Sequence, residues 1–146
     1  MILIHLLIGV ILGQIYGNYL FFIFGSIFPD LDHIYILIKN KISLRKLIDS
    51  IKFEKKYKIR YKTALFHSIL GLILFSLIIF LFNKQGAIYF GVAYLLHLLI
   101  DWIDIDEKYY LYPLRIKFKG FLPIWSRIEQ VITLILMILI ILILLR

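Results

Sequence analysis

Between Phe28 and His33 the chain reads Phe-Pro-Asp-Leu-Asp-His, two carboxylates and an imidazole within four residues, directly behind an apolar run from Asn18 to Ile27. Carboxylate oxygen and imidazole nitrogen are ligands of divalent transition metals. The remaining histidines are His5, His67 and His97. Asp101 follows His97 by four residues, one helical turn, so both side chains can reach one ion. There is no cysteine, which excludes thiolate sites and disulfides. The candidate ligands are therefore His5, Asp30, Asp32, His33, His67, His97 and Asp101. This set suits Zn²⁺, with Mn²⁺ and Fe²⁺ as alternatives, and seven ligands point to more than one ion within a range of one to three.

Each residue also has a plainer reading. A single histidine near a helix end is commonly an interfacial hydrogen-bonder. Pro-Asp-Leu-Asp alone is a turn or cap sequence, and Asp101 alone would pair with a lysine or arginine. The metal reading rests on these residues meeting at one depth, which depends on the elements that carry them.

Those elements are apolar. The chain has 146 residues, 62% of them hydrophobic, which suits one domain and is too apolar for an ordinary soluble one. Ala64–Phe82, Ala87–Ile103 and Ile128–Leu145 are each long enough to cross about 30 Å of hydrocarbon. Gly17-Asn18 splits the N-terminal region into Ile2–Tyr16 and Tyr19–Phe28, with a restart after Pro29 as Leu31–Ile38. No signal peptide is evident: Met1 meets apolar residues at once, without a basic leader. The expected fold is all-α: one membrane domain over 1–146, a polytopic bundle of about five helices.

Charge orients the bundle. Residues 39–62 hold ten Lys/Arg against Asp49 and Glu54, and the rest of the chain sums to zero. Beside membrane spans such a segment marks the cytoplasmic side and attracts anionic lipid headgroups; nucleic acid is not expected. Within it, Leu44, Leu47, Ile48 and Ile51 recur at i, i+3, i+4, i+7 behind Ser43, predicting an amphipathic helix in the headgroup region. Asn83–Gly86 is the expected outer turn. The second cytoplasmic segment, 104–127, alternates apolar and charged residues over Leu114–Phe121, which predicts a short extended element or hairpin. The N-terminus falls inside and Arg146 outside, in a multi-pass cell-membrane protein.

This topology puts all four histidines, with Asp30, Asp32 and Asp101, at the cytoplasmic end, where ionisable groups within spans face the bundle interior. His5, Gly9, Gly13 and Gly17 share one face, as do His67 with Gly71 and Ala93 with His97 and Asp101; small residues at this spacing admit a neighbouring helix. Tyr109, Tyr110, Tyr112 and Trp125 are expected as interfacial anchors. Glu129 is expected to pair locally with Arg127 or a basic loop residue.

The order of an N-terminal His, Gly25–His33 (Gly-Ser-Ile-Phe-Pro-Asp-Leu-Asp-His), Phe66-His67-Ser68, His97-Leu98-Leu99-Ile100-Asp101 and Tyr112-Pro113 resembles the YdjM-like family of membrane-bound metal-dependent hydrolases. That family is regarded as distantly similar to zinc-dependent phospholipase C and P1 nuclease. The resemblance implicates the same seven residues as metal ligands and implies hydrolysis of a phosphoester in a lipid headgroup, with Asp30 or Asp32 bridging ions or taking the proton. The chain departs from the family pattern over Arg60–Ser68, which lacks the His and Gly of a frequent His-Arg-Gly and has Phe66 in place of the Thr, at Tyr94-Leu95-Leu96 before His97, where a Ser is usual, and after Asp101. Two other classes compete. A metal transporter or sensor would use the same ligands, but transporters hold them near the bilayer midplane. A non-catalytic adaptor binding anionic lipid explains 39–62 and leaves the histidines idle.

Overall fold

The computed structural model describes residues 1–39, 41, 62–123 and 126–145. The helices are α1 (Ile2–Tyr16), α2 (Tyr19–Ile27), α3 (Leu31–Lys39), α4 (Ile69–Phe82), α5 (Lys84–Ile103) and α6 (Arg127–Leu144), with a single 3-10 turn, Phe28–Asp30, between α2 and α3. Among the described residues there is no strand, and the fold is all-α as expected. The predicted amphipathic helix, with Ser43, Leu44, Leu47, Ile48 and Ile51, lies outside the described residues, as do Trp125 and Arg146.

Local chemistry sets the ends. Gly17 closes α1 in the left-handed region at φ 70°, where a side chain would be strained. It is therefore a cap, and the packing stripe of α1 is His5, Gly9 and Gly13, all buried. The Asn18 side chain caps α2 through the Phe21 amide. Asn83 alone joins α4 to α5 and caps α5 at Gly86, so the turn expected over Asn83–Gly86 is one residue rather than four. α4 begins at Ile69, five residues later than expected. The Ser68 hydroxyl accepts from Gly71 N and donates to Leu65 O, fixing 64–67 as turns. His67 consequently precedes the helix instead of lying within it.

The packing centres on α2 and α5. α1 and α4 flank them, and α6 lies outside, against α1. Phe90, Tyr94 and Leu98 of α5 form the buried core, with Phe21, Phe28, Leu72, Phe75 and Tyr110 around them. A Cβ on Gly25 would collide with the Phe90 carbonyl, so glycine allows the α2 and α5 backbones to touch one turn before the Pro-Asp-Leu-Asp-His segment. The Tyr94 hydroxyl donates to Phe66 O, tying the turn before α4 to the same core.

α5 and α6 are long and apolar enough to cross a membrane; α1 and α4 are shorter apolar helices. The polar segment after α5 folds back without a sheet. Isolated bridges join Asp104 to Leu122 and Lys108 to Phe118, so the hairpin expected over Leu114–Phe121 is reduced to these two pairings. Gly120 lies against the Ile103 and Trp102 carbonyls, where a Cβ has no room, and its amide donates to Asp104 O. The Glu129 carboxylate is 3.3 Å from the α-amino group of Met1, a partner the sequence reading did not name.

Candidate metal centre

The buried polar residues gather at one end of the bundle. His5 comes from the first turn of α1, Asp30 from the 3-10 turn, and Asp32 and His33 from the start of α3. His67 comes from the turn before α4, and His97 and Asp101 from the last two turns of α5. All seven residues singled out from sequence meet here. Six are buried, and His33 is half-buried.

The carboxylates and imidazoles interleave. Asp30 Oδ1 is 3.1 Å from His33 Nε2 and 3.8 Å from both His67 Nε2 and His97 Nε2. Asp101 Oδ2 is 3.6 Å from His67 Nε2 and 3.7 Å from His97 Nε2. Asp101 Oδ1 is 3.1 Å from His5 Nε2, whose ring stacks on that of His97 at 3.8 Å between centroids. Two adjoining groups of potential ligands result: His5, His97 and Asp101, and Asp30, His33 and His67.

Neighbouring groups orient these rings. His97 Nδ1 lies 2.7 Å from Ser26 O. A carbonyl only accepts, so Nδ1 carries the proton and the Nε2 lone pair faces the cluster. Asp32 lies on the opposite side of two other rings, with Oδ1 2.9 Å from His33 Nδ1 and Oδ2 3.3 Å from His67 Nδ1. Asp32 Oδ2 also accepts from the Thr63 amide and from the Thr63 hydroxyl, the latter at 2.8 Å. Asp30 therefore faces Nε2 atoms and Asp32 faces Nδ1 atoms, a difference that two aspartates two residues apart do not announce.

The donor set fits a divalent transition metal. His67 Nε2, His97 Nε2 and Asp30 Oδ2 are buried without a hydrogen-bond partner. Unsatisfied buried polar atoms are rare because each carries a full desolvation cost. Ligands at Zn–N and Zn–O lengths of about 2.0–2.2 Å stand roughly 3.3–3.6 Å apart around a tetrahedral ion. The His67 and His97 Nε2 atoms lie 3.6–3.8 Å from Asp30 Oδ1 and Asp101 Oδ2, close to that spacing.

Sequence reasoning missed a second layer. Lys62 Nζ donates to Asp101 Oδ2 at 2.7 Å and to Asp104 Oδ2 at 3.3 Å, and lies 3.9 Å from Asp106 Oδ2. Burial pulls this ammonium down, but Asp101, Asp104 and Asp106 outweigh it and hold the group above the usual lysine range. Lys108, also buried, donates to the Asp104 and Asp106 carbonyls and lies 3.4 Å from Asp104 Oδ2. Its burial, with Lys62 nearby, pushes it below the usual range. Lys62 was hidden as the last cation of a ten-cation segment. The visible signal was the spacing Asp101, Asp104, Asp106, which places carboxylates around the end of α5.

A small polar cavity opens beside the cluster, lined by Lys62, Thr63, His67, Lys108 and Tyr109 among others.

No curated protein and no solved structure matches the chain. One family does, over residues 1–146, described as YdjM inner membrane protein. With apolar helices of spanning length below a buried polar end, and a match over its whole length, the chain is a membrane protein of the YdjM inner membrane protein family.

Proposed function

We propose that this chain is a membrane-embedded, metal-dependent hydrolase that cleaves a phosphoester of a lipid or lipid-linked substrate at the cytoplasmic face. The observation that carries the reading is the gathering of four imidazoles and three carboxylates at one end of the bundle, with His67 Nε2 and His97 Nε2 buried without a hydrogen-bond partner. His5, His97 and Asp101, or Asp30, His33 and His67, would hold an ion, which would supply Lewis-acid chemistry toward water and phosphoryl oxygens. The chain's own residues do the rest. Ser26 O sets the tautomer of His97, and the Asp32 carboxylate lies 2.9 Å from His33 Nδ1 and 3.3 Å from His67 Nδ1. Asp30 Oδ2, buried without a hydrogen-bond partner, is an oxygen open to accept a proton.

The surroundings favour a lipid. The small polar cavity beside His67 borders the candidate ligands. Two apolar hollows along α5 share Leu95; one, between α4 and α5, includes Leu72 and Phe80, and the other includes Trp102, Tyr110 and Phe118. Tyr109 lines the polar cavity and Tyr110 the second hollow. Lys/Arg of residues 39–62 would attract anionic headgroups to this side, which the positive-inside bias makes cytoplasmic.

The test follows phosphate or headgroup release from mixed anionic vesicles with added Zn²⁺ or Mn²⁺. Wild type should turn over, and His97→Ala should lose ~10²-fold or more. Equal release from the two would contradict the assignment. Single cysteines at Asn83 and Lys119 should label from opposite sides of the membrane; labelling from one side would remove the orientation.

A further inference from the structure

At the end of α5 three carboxylate oxygens surround one point. Asp101 Oδ2, Asp104 Oδ2 and Asp106 Oδ2 lie 2.7, 3.3 and 3.9 Å from it, and the atom at the point is Lys62 Nζ. Oxygens from three separate aspartates are a donor set for a divalent cation. Asp101 and Asp104 are almost fully buried, so their charge must be balanced where it stands. The point also borders the candidate metal centre directly, because the Asp101 oxygen that meets Lys62 is the one 3.6–3.7 Å from the His67 and His97 Nε2 atoms.

We propose that the Lys62 ammonium occupies a cation position of this centre: Nζ fills the place between Asp101, Asp104 and Asp106 that a divalent ion would otherwise take, so that the chain holds one ion fewer than its carboxylates would accept. The inference rests on the metal reading above and specifies its cation inventory. The charges agree with it: the buried Asp101 and Asp104 carboxylates both pair with Lys62, and a divalent ion would balance them where the ammonium stands. Geometry agrees as well, since Lys108 Nζ is directed to the Asp104 and Asp106 carbonyls and cannot replace Lys62 at Asp101 without giving up those bonds. A covalently attached cation holds Asp101 in place whatever the metal supply.

The experiment counts metal by inductively coupled plasma mass spectrometry on detergent-purified protein equilibrated with excess Zn²⁺ and freed of unbound ion. Lys62→Met should hold one Zn²⁺ per chain more than wild type. Lys62→Arg, which keeps the cation, should hold the wild-type number, and adding Asp104→Asn to Lys62→Met should remove the extra ion. A monodisperse Lys62→Met protein with the wild-type count overturns the proposal and leaves the metal centre standing. If Lys62→Met does not fold, Lys62→His carries the same expectation. Failure of both to fold in excess Zn²⁺ also overturns it, because the ion then cannot take the place of the ammonium. Wild type that holds no Zn²⁺ removes this inference and the metal reading together.

Discussion

Asp30→Asn is expected to lose bound transition metal and to lower any hydrolysis by ~10³-fold, while leaving the protein folded. Asp30 Oδ1 is near three imidazoles, at 3.1 Å from His33 Nε2 and 3.8 Å from His67 and His97 Nε2. An amide there is neutral and a poor ligand. It also donates hydrogen bonds, and a donated bond to an Nε2 lone pair blocks the atom that would bind the ion. The fold should survive because asparagine nearly matches aspartate in volume and suits the same 3-10 turn. Replacing a buried carboxylate with an amide also lowers the desolvation cost of burying the residue. Metal analysis and thermal unfolding of one preparation separate the two effects. Wild-type metal content in a folded Asp30→Asn protein would remove Asp30 from the centre.

Asp32→Asn should act differently. It is expected to keep the fold and the metal stoichiometry at saturation, but to weaken metal affinity ~10–100-fold. Asp32 lies behind the rings of His33 and His67, on their Nδ1 atoms, and is anchored by the Thr63 amide and hydroxyl. Asparagine keeps one oxygen for Thr63. Its NH₂ then faces an imidazole Nδ1, which must accept rather than donate. The proton moves to Nε2, and the lone pair that faced the centre is lost. Competition against a chelator of known strength reads the affinity directly. An unchanged affinity would return Asp32 to the role of a turn residue, and complete loss of metal would make it a direct ligand like Asp30.

The contrast between these two aspartates marks how far the sequence could be read. The apolar spans, the short N-terminal pair of helices and the restart after Pro29 follow from local pattern, because helix length and glycine or proline breaks are local properties. The gathering of His5, Asp30, Asp32, His33, His67, His97 and Asp101 was expected from one further step, the assumption that successive apolar helices alternate in direction and bring their ends to a common depth. Which oxygen faces which nitrogen did not follow. That depends on the 3-10 turn at Phe28–Asp30, which rotates Asp30 relative to Asp32, and on the Ser68 cap, which keeps His67 out of α4. Lys62 and Lys108 were invisible for a different reason. In composition they are two more cations among seventeen, and only tertiary placement distinguishes a buried ammonium from a solvated one. The turn at Gly17 was read correctly, while its place in the glycine stripe was not, because a left-handed cap and a packing glycine look alike in sequence.

The central claim is that this family member carries a metal centre built from imidazole and carboxylate at one end of its helices. X-ray absorption at the zinc edge of the purified, Zn²⁺-loaded protein tests it most directly. The expected spectrum shows a first shell of nitrogen and oxygen only, at about 2.0–2.2 Å, with the outer-shell scattering of more than one imidazole. In His97→Ala the imidazole scattering should fall. A protein that retains no zinc, or whose zinc shows no imidazole scattering, would contradict the account.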